Sequence, residues 1–462
     1  MELNRYLEEL EQQIRNKKAK AAVAEEIKNH IEDQARFYES DGMTADDAME
    51  EAVRQMGDPV EVGIEMDRIH RPKPCGRLIL MAVIMSAAGL LTQYLSFYRF
   101  GDELMQYQIV IDYAFERQCI YVLMGTVIML AVFYLDYSMI GKYGKRLGFL
   151  LLAALTVICF YAPYYNGGHS YMKSLIYLFI PIYAGILYQN RKRGYYGIAS
   201  SLLWLAAAYW VGITRIGGGM GITVDMVCIC YLMLLAASWN EWFQVNRKTS
   251  MIILAGILPA TAALGFFARI NPYQLARLRV MLHPEQYAQE AGYQAANARE
   301  AVRNLTLFGA GTEKLDRLPS HTLPHVQYDF IMLQTASIYG ILIAVLLIGL
   351  LALFLFYLFL MIHKQKNQLG KMAGYGCTMV LTVEMIRSLL NNFGFFTIST
   401  GGLPFFSYGR SHTITIYALL GVIFSIYRYQ NLTWEQKMTS KKQEKGVLAQ
   451  LGKYRIRIER CR

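Results

Sequence analysis

The chain has 462 residues, of which 54% are hydrophobic, and its formal net charge is +11. The hydrophobic residues fall into blocks of roughly 18–25 residues, the length at which a helix crosses a hydrocarbon core of ~30 Å, so a wholly water-soluble protein is excluded. Positive charges lie in the short loops between the blocks and in the C-terminal tail, a distribution typical of membrane proteins, so no nucleic-acid partner is expected.

The first 73 residues contain no such block and are predicted to form a small cytoplasmic helical domain. Apolar residues recur at helical spacing through residues 2–40, and Asp41-Gly42 interrupts the pattern. Thr44 is the predicted N-cap of a further helix, which ends at Gly57-Asp58-Pro59. The Gly-Asp-Pro ending resembles the permease-prefix domains found ahead of bacterial membrane proteins, although a generic helical bundle fits the same pattern.

The chain from residue 74 to residue 430 is predicted to form an all-α, polytopic membrane domain with about ten transmembrane helices. The apolar blocks that predict them lie at approximately 77–98, 118–139, 146–163, 172–189, 196–213, 220–239, 250–268, 331–361, 371–395 and 412–428. A basic tail over residues 431–462 follows and is predicted to be cytoplasmic.

Lysine and arginine are concentrated in alternate loops, which orients the predicted helices. The basic loop residues are Lys142, Lys145, Arg146, Arg191, Lys192, Arg193, Arg247, Lys248, Lys364, Lys366 and Lys371. Because such loops face the cytoplasm, we expect a multi-pass protein of the bacterial plasma membrane with both termini inside. The long segment 269–330, between the seventh and eighth helices, is then extracytoplasmic, and long loops of this kind are usually functional.

Charged residues lie in or at the ends of several apolar blocks, where charge is costly and indicates a partner or a water-filled cavity: Asp136, Asp225, Glu384 and Arg387. Glu384 and Arg387 are three residues apart, so on a helix they form either a self-contained structural pair or part of such a cavity. Asp225 has no candidate partner nearby in the sequence. We treat Asp225, Glu384 and Arg387 as candidates for a polar cavity within the membrane domain.

Three stretches of sequence together indicate a family. The first combines 273–277, 282–284, 292–294 and 308–311, the second is 323–331, and the third is 403–411. In this order and on this topology they resemble the FtsW/RodA/SpoVE family of shape, elongation, division and sporulation proteins. The resemblance covers roughly residues 77–430 and is best over 273–411.

The chain also departs from the family pattern. The paired glutamates that follow the second stretch in the family are replaced by Ser337-Ile338, and the Gly-Gly of the third stretch is Gly409-Arg410. Asn297-Ala298, Leu305-Thr306 and Gln327-Tyr328 stand at other altered motif positions. We therefore expect a divergent member of the family.

The resemblance implies a peptidoglycan glycosyltransferase. Such an inverting enzyme joins molecules of lipid II, its lipid-linked donor, into glycan strands and releases undecaprenyl pyrophosphate, in cell division, elongation or sporulation. The resemblance also implies a class B penicillin-binding protein transpeptidase and other cell-wall synthesis machinery as partners.

Asp329 matches the family aspartate and is the candidate general base. An attacking sugar hydroxyl must lose a proton, and a carboxylate can accept it. Because pyrophosphate is already a good leaving group, no second carboxyl is required, in contrast to glycoside hydrolysis. Partial desolvation should raise the pKa of Asp329 toward useful basicity. The alternative is that Asp329 caps a helix at the membrane interface, and the two roles are compatible.

The resemblance assigns the substrate-binding candidates. Arg277 matches the family arginine, and its guanidinium either grips the pyrophosphate through two hydrogen bonds or extends to the membrane interface, with Arg279 as a substitute. Gln294 belongs to the first stretch, whereas Pro404, Ser407 and Tyr408 belong to a predicted re-entrant turn that either lines the cavity or only shapes the loop. No cofactor is assigned with certainty. A divalent cation, Mg or Mn, could share the pyrophosphate charge, but no metal motif is visible.

Two other functions remain open at this stage. A flippase or transporter of a lipid-linked cell-wall precursor would need the same apolar groove and the same cations. A non-catalytic scaffold for a partner transpeptidase would be consistent with the altered motif positions.

Overall fold

The structure is a computed structural model that describes residues 3–15, 17–69, 71–98, 105–161, 170–216, 220–256, 280, 283–289, 292–309, 329–395, 402–430, 447–451 and 454–457. The chain divides into two compact units. The head unit comprises Met1–Cys75, Gln365–Gln368 and Ile426–Met438, and the membrane unit comprises Gly76–Lys364, Leu369–Ser425 and Thr439–Arg462.

The head unit contains four helices around a small apolar core. They are α1 (Leu3–Gln13), α2 (Lys17–Ser40), α3 (Ala45–Gln55) and α4 (Pro59–Ile69). Thr44 is the N-cap of α3, and its side chain accepts a hydrogen bond from the Asp47 N–H, as the sequence predicts. Leu10 and Ile14 are buried in the core, where Tyr429 of the same unit also packs.

A buried carboxylate joins the end of α1 to α4 within the head unit. Asp67 accepts hydrogen bonds from the Arg15 N–H at 3.0 Å and from the Arg71 guanidinium at 3.1 Å. Burial acts to raise the pKa of Asp67, but these hydrogen bonds and the two arginine charges outweigh burial and lower it. The charged form of Asp67 therefore stabilises the head.

The membrane unit begins with seven described helices. They are α5 (Gly76–Tyr98), α6 (Met105–Tyr134), α7 (Ser138–Tyr161), α8 (Phe179–Gln189), α9 (Gly194–Val211), α10 (Met220–Trp239) and α11 (described over residues 247–256). A 3-10 segment, Ser170–Leu178, leads into α8, and a π-helical turn, Gly212–Ile216, extends α9. The helices α5, α9 and α10 follow their apolar blocks closely because the blocks define where a helix is stable in a membrane. The helices α6 and α7 begin earlier than the predicted blocks at 118–139 and 146–163.

The second half of the membrane unit carries the remaining helices. They are α12 (Tyr293–Arg303), α13 (Ile331–Tyr339), α14 (Ile341–His363), α15 (Gln368–Asn392) and α16 (Arg410–Arg428), the last of which ends in the head unit. Within the described residues, six helical segments are long and apolar enough to cross a membrane: Gly76–Ser96, Ala114–Tyr134, Ser138–Tyr161, Gly194–Ile216, Gly221–Trp239 and Ile341–His363. The number of ten crossings and the position of the outer loop stay predictions.

The predicted single helix over 331–361 is wrong, because the chain breaks at Gly340. This residue has φ of +96°, and an added β-carbon would lie 2.6 Å from the Leu307 carbonyl oxygen. The Ile341 N–H donates to the Thr306 carbonyl at 2.9 Å, so the 305–309 segment fits into the break. Only glycine combines this backbone conformation with so close an approach. The short helix α13, buried from Ile331 to Ile338, is the result.

A small hairpin in the C-terminal tail departs from the otherwise helical fold. Strand β1 (Val447–Leu451) pairs antiparallel with β2 (Tyr454–Arg457), with Leu451 opposite Tyr454. The sequence of β2 alternates apolar and basic residues, a period-two pattern that favours a strand. The expected all-α class therefore holds for the helices of both units but not for this part of the tail.

Candidate active site

The backbone at Asp329 is held by the end of α15. The Asp329 carbonyl accepts hydrogen bonds from the side-chain amides of Asn392 at 3.0 Å and Asn391 at 3.4 Å. The Asn392 side-chain oxygen accepts in turn from the Leu333 N–H at 2.8 Å, which fixes the first turn of α13. These two asparagines were not identified from the sequence, where they are two polar residues at a helix end.

The other side of this segment packs against α12. Phe330 and Leu333 form a buried cluster with Ala298 and Ala301. The Arg299 side chain donates to the Gly394 carbonyl at 3.2 Å, so α12 is also joined to the chain just beyond α15. Asp329 therefore stands on a backbone that is held from two directions, as a reacting group requires.

The electrostatic surroundings of Asp329 suit proton transfer. Asp329 lies outside the six apolar segments, and burial raises its pKa to about 7 although the positive charges of Lys173, Arg387 and His412 lower it. A carboxyl that titrates near neutral pH can accept a proton and release it again. The N-cap position of α13 is Phe330, whose own side chain makes no capping hydrogen bond, and the Leu333 N–H in the first turn is capped by Asn392 rather than by Asp329.

A buried ion network lies on the faces of α10 and α15. Arg387 forms a short ion pair with Asp225, and its guanidinium is 3.8 Å from Glu384. Tyr177 donates a hydrogen bond to Asp225 at 3.1 Å and accepts one from Arg387 at 3.4 Å. The sequence predicted the pair of Glu384 with Arg387, whereas the partner of Asp225 comes from a helix distant in sequence.

His412 of α16 completes this network and was not identified from the sequence. Its Nδ1 is 3.5 Å from Glu384, whose side chain is 1% exposed. A lone histidine after a motif carries no recognisable signal, because its partner is defined only by the packing of α15 against α16. The three cavity candidates, Asp225, Glu384 and Arg387, thus lie in one network together with Tyr177 and His412.

The turn that precedes α16 is built by its own side chains and by two glutamines. The Ser407 hydroxyl accepts from the Leu403 N–H at 2.8 Å, which closes the turn. Gln93 of α5 donates to the Phe406 carbonyl at 2.6 Å, and Gln118 of α6 accepts from the Gly409 N–H at 3.2 Å. Ser407 and Pro404 are buried, and Tyr408 packs edge-on against Tyr121. These contacts give the turn a fixed shape, and its three candidate residues contribute to that shape.

Of the remaining substrate-binding candidates, Gln294 lies within the described residues. Gln294 lies in the first turn of α12 and is half-buried. Arg277 and Arg279 lie outside the described residues. Within the described chain, no group of three or more His, Cys, Asp or Glu side chains is placed to hold a metal ion.

Comparison with known proteins gives a consistent result. The family model FTSW_RODA_SPOVE, described as a cell cycle protein, matches residues 77–432. The putative peptidoglycan glycosyltransferase FtsW of Mesostigma viride is 27% identical over 203 residues, which are 43% of this chain and 45% of that protein. The probable peptidoglycan glycosyltransferase FtsW of Trichlorobacter lovleyi is 21% identical over 369 residues, which are 76% of this chain and 92% of that protein.

The extent of these matches differs. For the first three curated relatives, the chain spans about half of the relative's length, between 45% and 56%. A solved structure described as a peptidoglycan synthase complex that coordinates polymerization and crosslinking aligns with a TM-score of 0.58 at 18% identity. The alignment covers 75% of this chain and 97% of that chain, and the likeness shows the fold.

Proposed function

The chain belongs to the FtsW/RodA/SpoVE family of cell cycle proteins, and we propose that it is a peptidoglycan glycosyltransferase that polymerises lipid II. The observation that carries this proposal is the partly buried carboxyl of Asp329, whose pKa is raised to about 7 and whose backbone is fixed by Asn391 and Asn392. A sugar-transfer reaction needs a group that can accept the proton of the attacking hydroxyl near neutral pH, and Asp329 meets this requirement.

The proposed reaction uses Asp329 as the general base. The Asp329 carboxylate removes the proton of the acceptor sugar hydroxyl as its oxygen forms a bond to the anomeric carbon of the donor. The bond between that carbon and the pyrophosphate oxygen breaks, and undecaprenyl pyrophosphate leaves with the electron pair. Because attack and departure occur on opposite faces of the sugar, the anomeric configuration inverts.

The proposed environment of the protein follows from its family and charge distribution. Both termini are cytoplasmic, and segment 269–330 is extracytoplasmic, so the reaction takes place at the outer face of the bacterial plasma membrane. A class B penicillin-binding protein transpeptidase is the proposed partner. This assignment is supported by the fold shared with a chain of a complex that is described as coordinating polymerization and crosslinking.

Labelled lipid II tests the proposal against its two alternatives. Purified protein in detergent should convert lipid II into glycan strands that lysozyme digests. In vesicles, translocation of lipid II without polymer would identify a flippase. Absence of both polymer and translocation, even with a partner transpeptidase present, would identify a scaffold.

The first prediction concerns the pH dependence of polymerisation. Because the base must be deprotonated, kcat/KM should fall about tenfold per pH unit below about pH 7, where Asp329 is protonated, and should level off above it. The measurement is the initial rate of glycan formation between pH 5 and pH 9 at constant ionic strength. A rate that does not change between pH 5 and pH 7 would exclude Asp329 as the base.

The second prediction concerns Arg277, which we propose grips the pyrophosphate. Arg277→Lys retains the charge but loses the planar pair of donors, and Arg277→Ala loses both, so we expect KM for lipid II to rise progressively through the series. The control is Arg303→Ala, because Arg303 is an exposed arginine of α12 with a side chain 75% exposed. Equal use of lipid II by Arg277→Ala and the native chain would remove Arg277 from the substrate site.

The third prediction concerns the head. With the proposed topology, residues 1–74 lie across a ~30 Å barrier from the catalytic carboxyl, so a chain that begins at Cys75 should still insert and polymerise lipid II in detergent. Removal of the head exposes Tyr429, which packs against its core, so the thermal unfolding midpoint should fall. A well-folded truncated chain without polymerase activity would show that the head belongs to the catalytic unit.

A further inference from the structure

Three segments at helix ends of the membrane unit carry many more positive than negative charges. Among residues 141–148, 188–197 and 239–250, eight are lysine or arginine and one, Glu241, is acidic. The eight cations, here named the basic cluster, are Lys142, Lys145, Arg146, Arg191, Lys192, Arg193, Arg247 and Lys248. Positive charge at cytoplasmic helix ends is expected for topology alone, so a binding site requires in addition that these segments form one fixed surface.

The beginning of α7 is hydrogen-bonded to the end of α8. The Gln189 side chain donates to the carbonyls of Lys142 at 2.7 Å and Gly141 at 3.0 Å, and it accepts from the Lys145 N–H at 3.2 Å. Gln189 directly precedes the loop that carries three further cations, at 191–193. The cations of α7 therefore lie beside those of the α8–α9 loop.

The α8–α9 loop is paired in turn with the α10–α11 loop. The Lys192 N–H donates to the Trp242 carbonyl at 2.8 Å, and the Gly194 N–H donates to the Phe243 carbonyl at 3.0 Å. Backbone hydrogen bonds of this kind fix the two loops against each other. All three segments of the basic cluster are thus joined into one surface.

The paired loops contain an unusual concentration of left-handed backbone. Lys192, Glu241 and Gln244 have φ of +61°, +55° and +56°, and they are three of the four non-glycine residues with positive φ among the described residues. Such conformations are strained for residues with a side chain, persist only where the surrounding structure determines them, and cluster at ligand and catalytic sites. A simple connection between two helices would not require this shape.

Aromatic rings hold two of the arginines. Cζ of Arg191 lies 4.4 Å from the ring centroid of Tyr188 and 4.8 Å from that of Trp242, and Cζ of Arg247 lies 3.2 Å from that of Trp239. Stacking uses the face of a guanidinium, whereas a phosphate binds along its edge, so the two interactions are compatible. The rings therefore restrict the guanidinium groups to positions in which they can bind a phosphate.

Exposed apolar side chains follow the cations one helical turn further along. Phe149 and Leu150 are exposed and lie three and four residues after Arg146 on α7, and exposed Ile252 lies four residues after Lys248 on α11. Residues at these spacings share one face of a helix. The surface thus offers positive charge and, next to it, apolar area, which matches a ligand with an anionic head and apolar chains.

We propose that the basic cluster binds the phosphodiester headgroup of an anionic phospholipid, whose acyl chains lie against the exposed apolar side chains of the adjoining helices. A phosphodiester carries the negative charge that the cluster lacks, and the lipid supplies the apolar chains that a soluble phosphate does not. With the proposed topology the lipid belongs to the cytoplasmic leaflet, where anionic lipids attract basic segments. This binding requires a chain embedded in a membrane but no glycosyltransferase activity.

The test measures lipid binding to the full chain in neutral detergent. Native mass spectrometry and thermal unfolding should show that phosphatidylglycerol is retained and raises the unfolding midpoint, whereas phosphatidylcholine with the same acyl chains does neither. Replacing Lys192, Arg193 and Lys248 together by Gln should weaken phosphatidylglycerol binding at least about tenfold, because each basic residue near an anionic headgroup adds to the attraction.

The matched control removes the same number of charges from another basic loop. The triple variant Lys364→Gln, Lys366→Gln and Lys371→Gln should bind phosphatidylglycerol within about twofold of the native affinity, since cations of a different loop do not contribute to the cluster. An equal loss in the control would show that any basic loop attracts the lipid and would overturn the proposal.

A milder variant decides the matter if the triple variant of the cluster does not fold. Arg247→Lys retains the charge but loses the planar group stacked on Trp239, so phosphatidylglycerol binding should weaken about threefold or more. Unchanged affinity would overturn the proposal, as would equal binding of phosphatidylglycerol and phosphatidylcholine by the native chain. Water-soluble glycerol 3-phosphate should not compete with the lipid, and competition at equal concentration would identify a site for a free phosphate instead.

Discussion

Asp329→Asn should insert and fold as the native chain does, while its rate of lipid II polymerisation falls at least about a hundredfold, the lower range for loss of a general base. Asparagine has nearly the same shape as aspartate, so the backbone contacts with Asn391 and Asn392 should persist. An amide cannot accept the hydroxyl proton at neutral pH. The substitution therefore removes the proton acceptor and leaves the site otherwise intact.

The measurement is the initial rate of glycan formation by purified protein, with elution from a sizing column as the check on folding. The matched control is Glu285→Gln, because Glu285 is a carboxylate of the same 269–330 segment with a side chain 64% exposed. The control should polymerise lipid II at the native rate. A native polymer yield from Asp329→Asn would remove Asp329 from the mechanism and leave the resemblance to the family as the only support for the enzyme assignment.

The helices of the membrane unit could be predicted because a single local property determines them. A block of about twenty apolar residues is stable across a membrane only as a helix, so the blocks at 77–98 and 220–239 agree closely with α5 and α10. The prediction of a single helix over 331–361 was wrong because of a tertiary contact. The break at Gly340 is needed to admit the 305–309 segment, and hydrophobicity contains no information about that contact.

The site could be predicted only in part, and the division has a physical basis. Asp329 was identified because its neighbours match a motif. The pair of Glu384 with Arg387 was identified because residues three positions apart lie on the same face of a helix. The partner of Asp225 was not found, because the contact depends on which face α10 turns toward α15. For the same reason Tyr177, His412 and the two asparagines became visible only in the folded chain.

The network around Arg387 balances charge within a part of the membrane unit from which water is largely excluded. Arg387 is the cation shared by Asp225 and Glu384, whose side chains are 19% and 1% exposed. A buried charge that loses its partner is strongly unfavourable, because the low dielectric surroundings no longer compensate it. Arg387 should therefore be the residue of the network whose removal costs most stability.

Arg387→Met should lower the free energy of unfolding by about 3–5 kcal/mol, the range for removal of one member of a buried ion pair. Methionine fills a similar volume, so the cost comes from Asp225 and Glu384, which remain without their cation. Adding Asp225→Asn to Arg387→Met removes one of the two uncompensated charges, and the double variant should recover part of the loss. The measurement is thermal unfolding in detergent of the native chain, both single variants and the double variant, which together form a double-mutant cycle.

Arg215→Met is the control for the loss of an arginine from the membrane unit, because Arg215 is exposed and lies over the ring of Phe160, and among the described residues it forms no ion pair. It should change the midpoint little, since exposed charges contribute little to stability. If Arg387→Met were as stable as Arg215→Met, the network would not be compensating buried charge. If instead the double variant were no more stable than Arg387→Met, Asp225 would not be the principal group that Arg387 neutralises, and Glu384 would take that place.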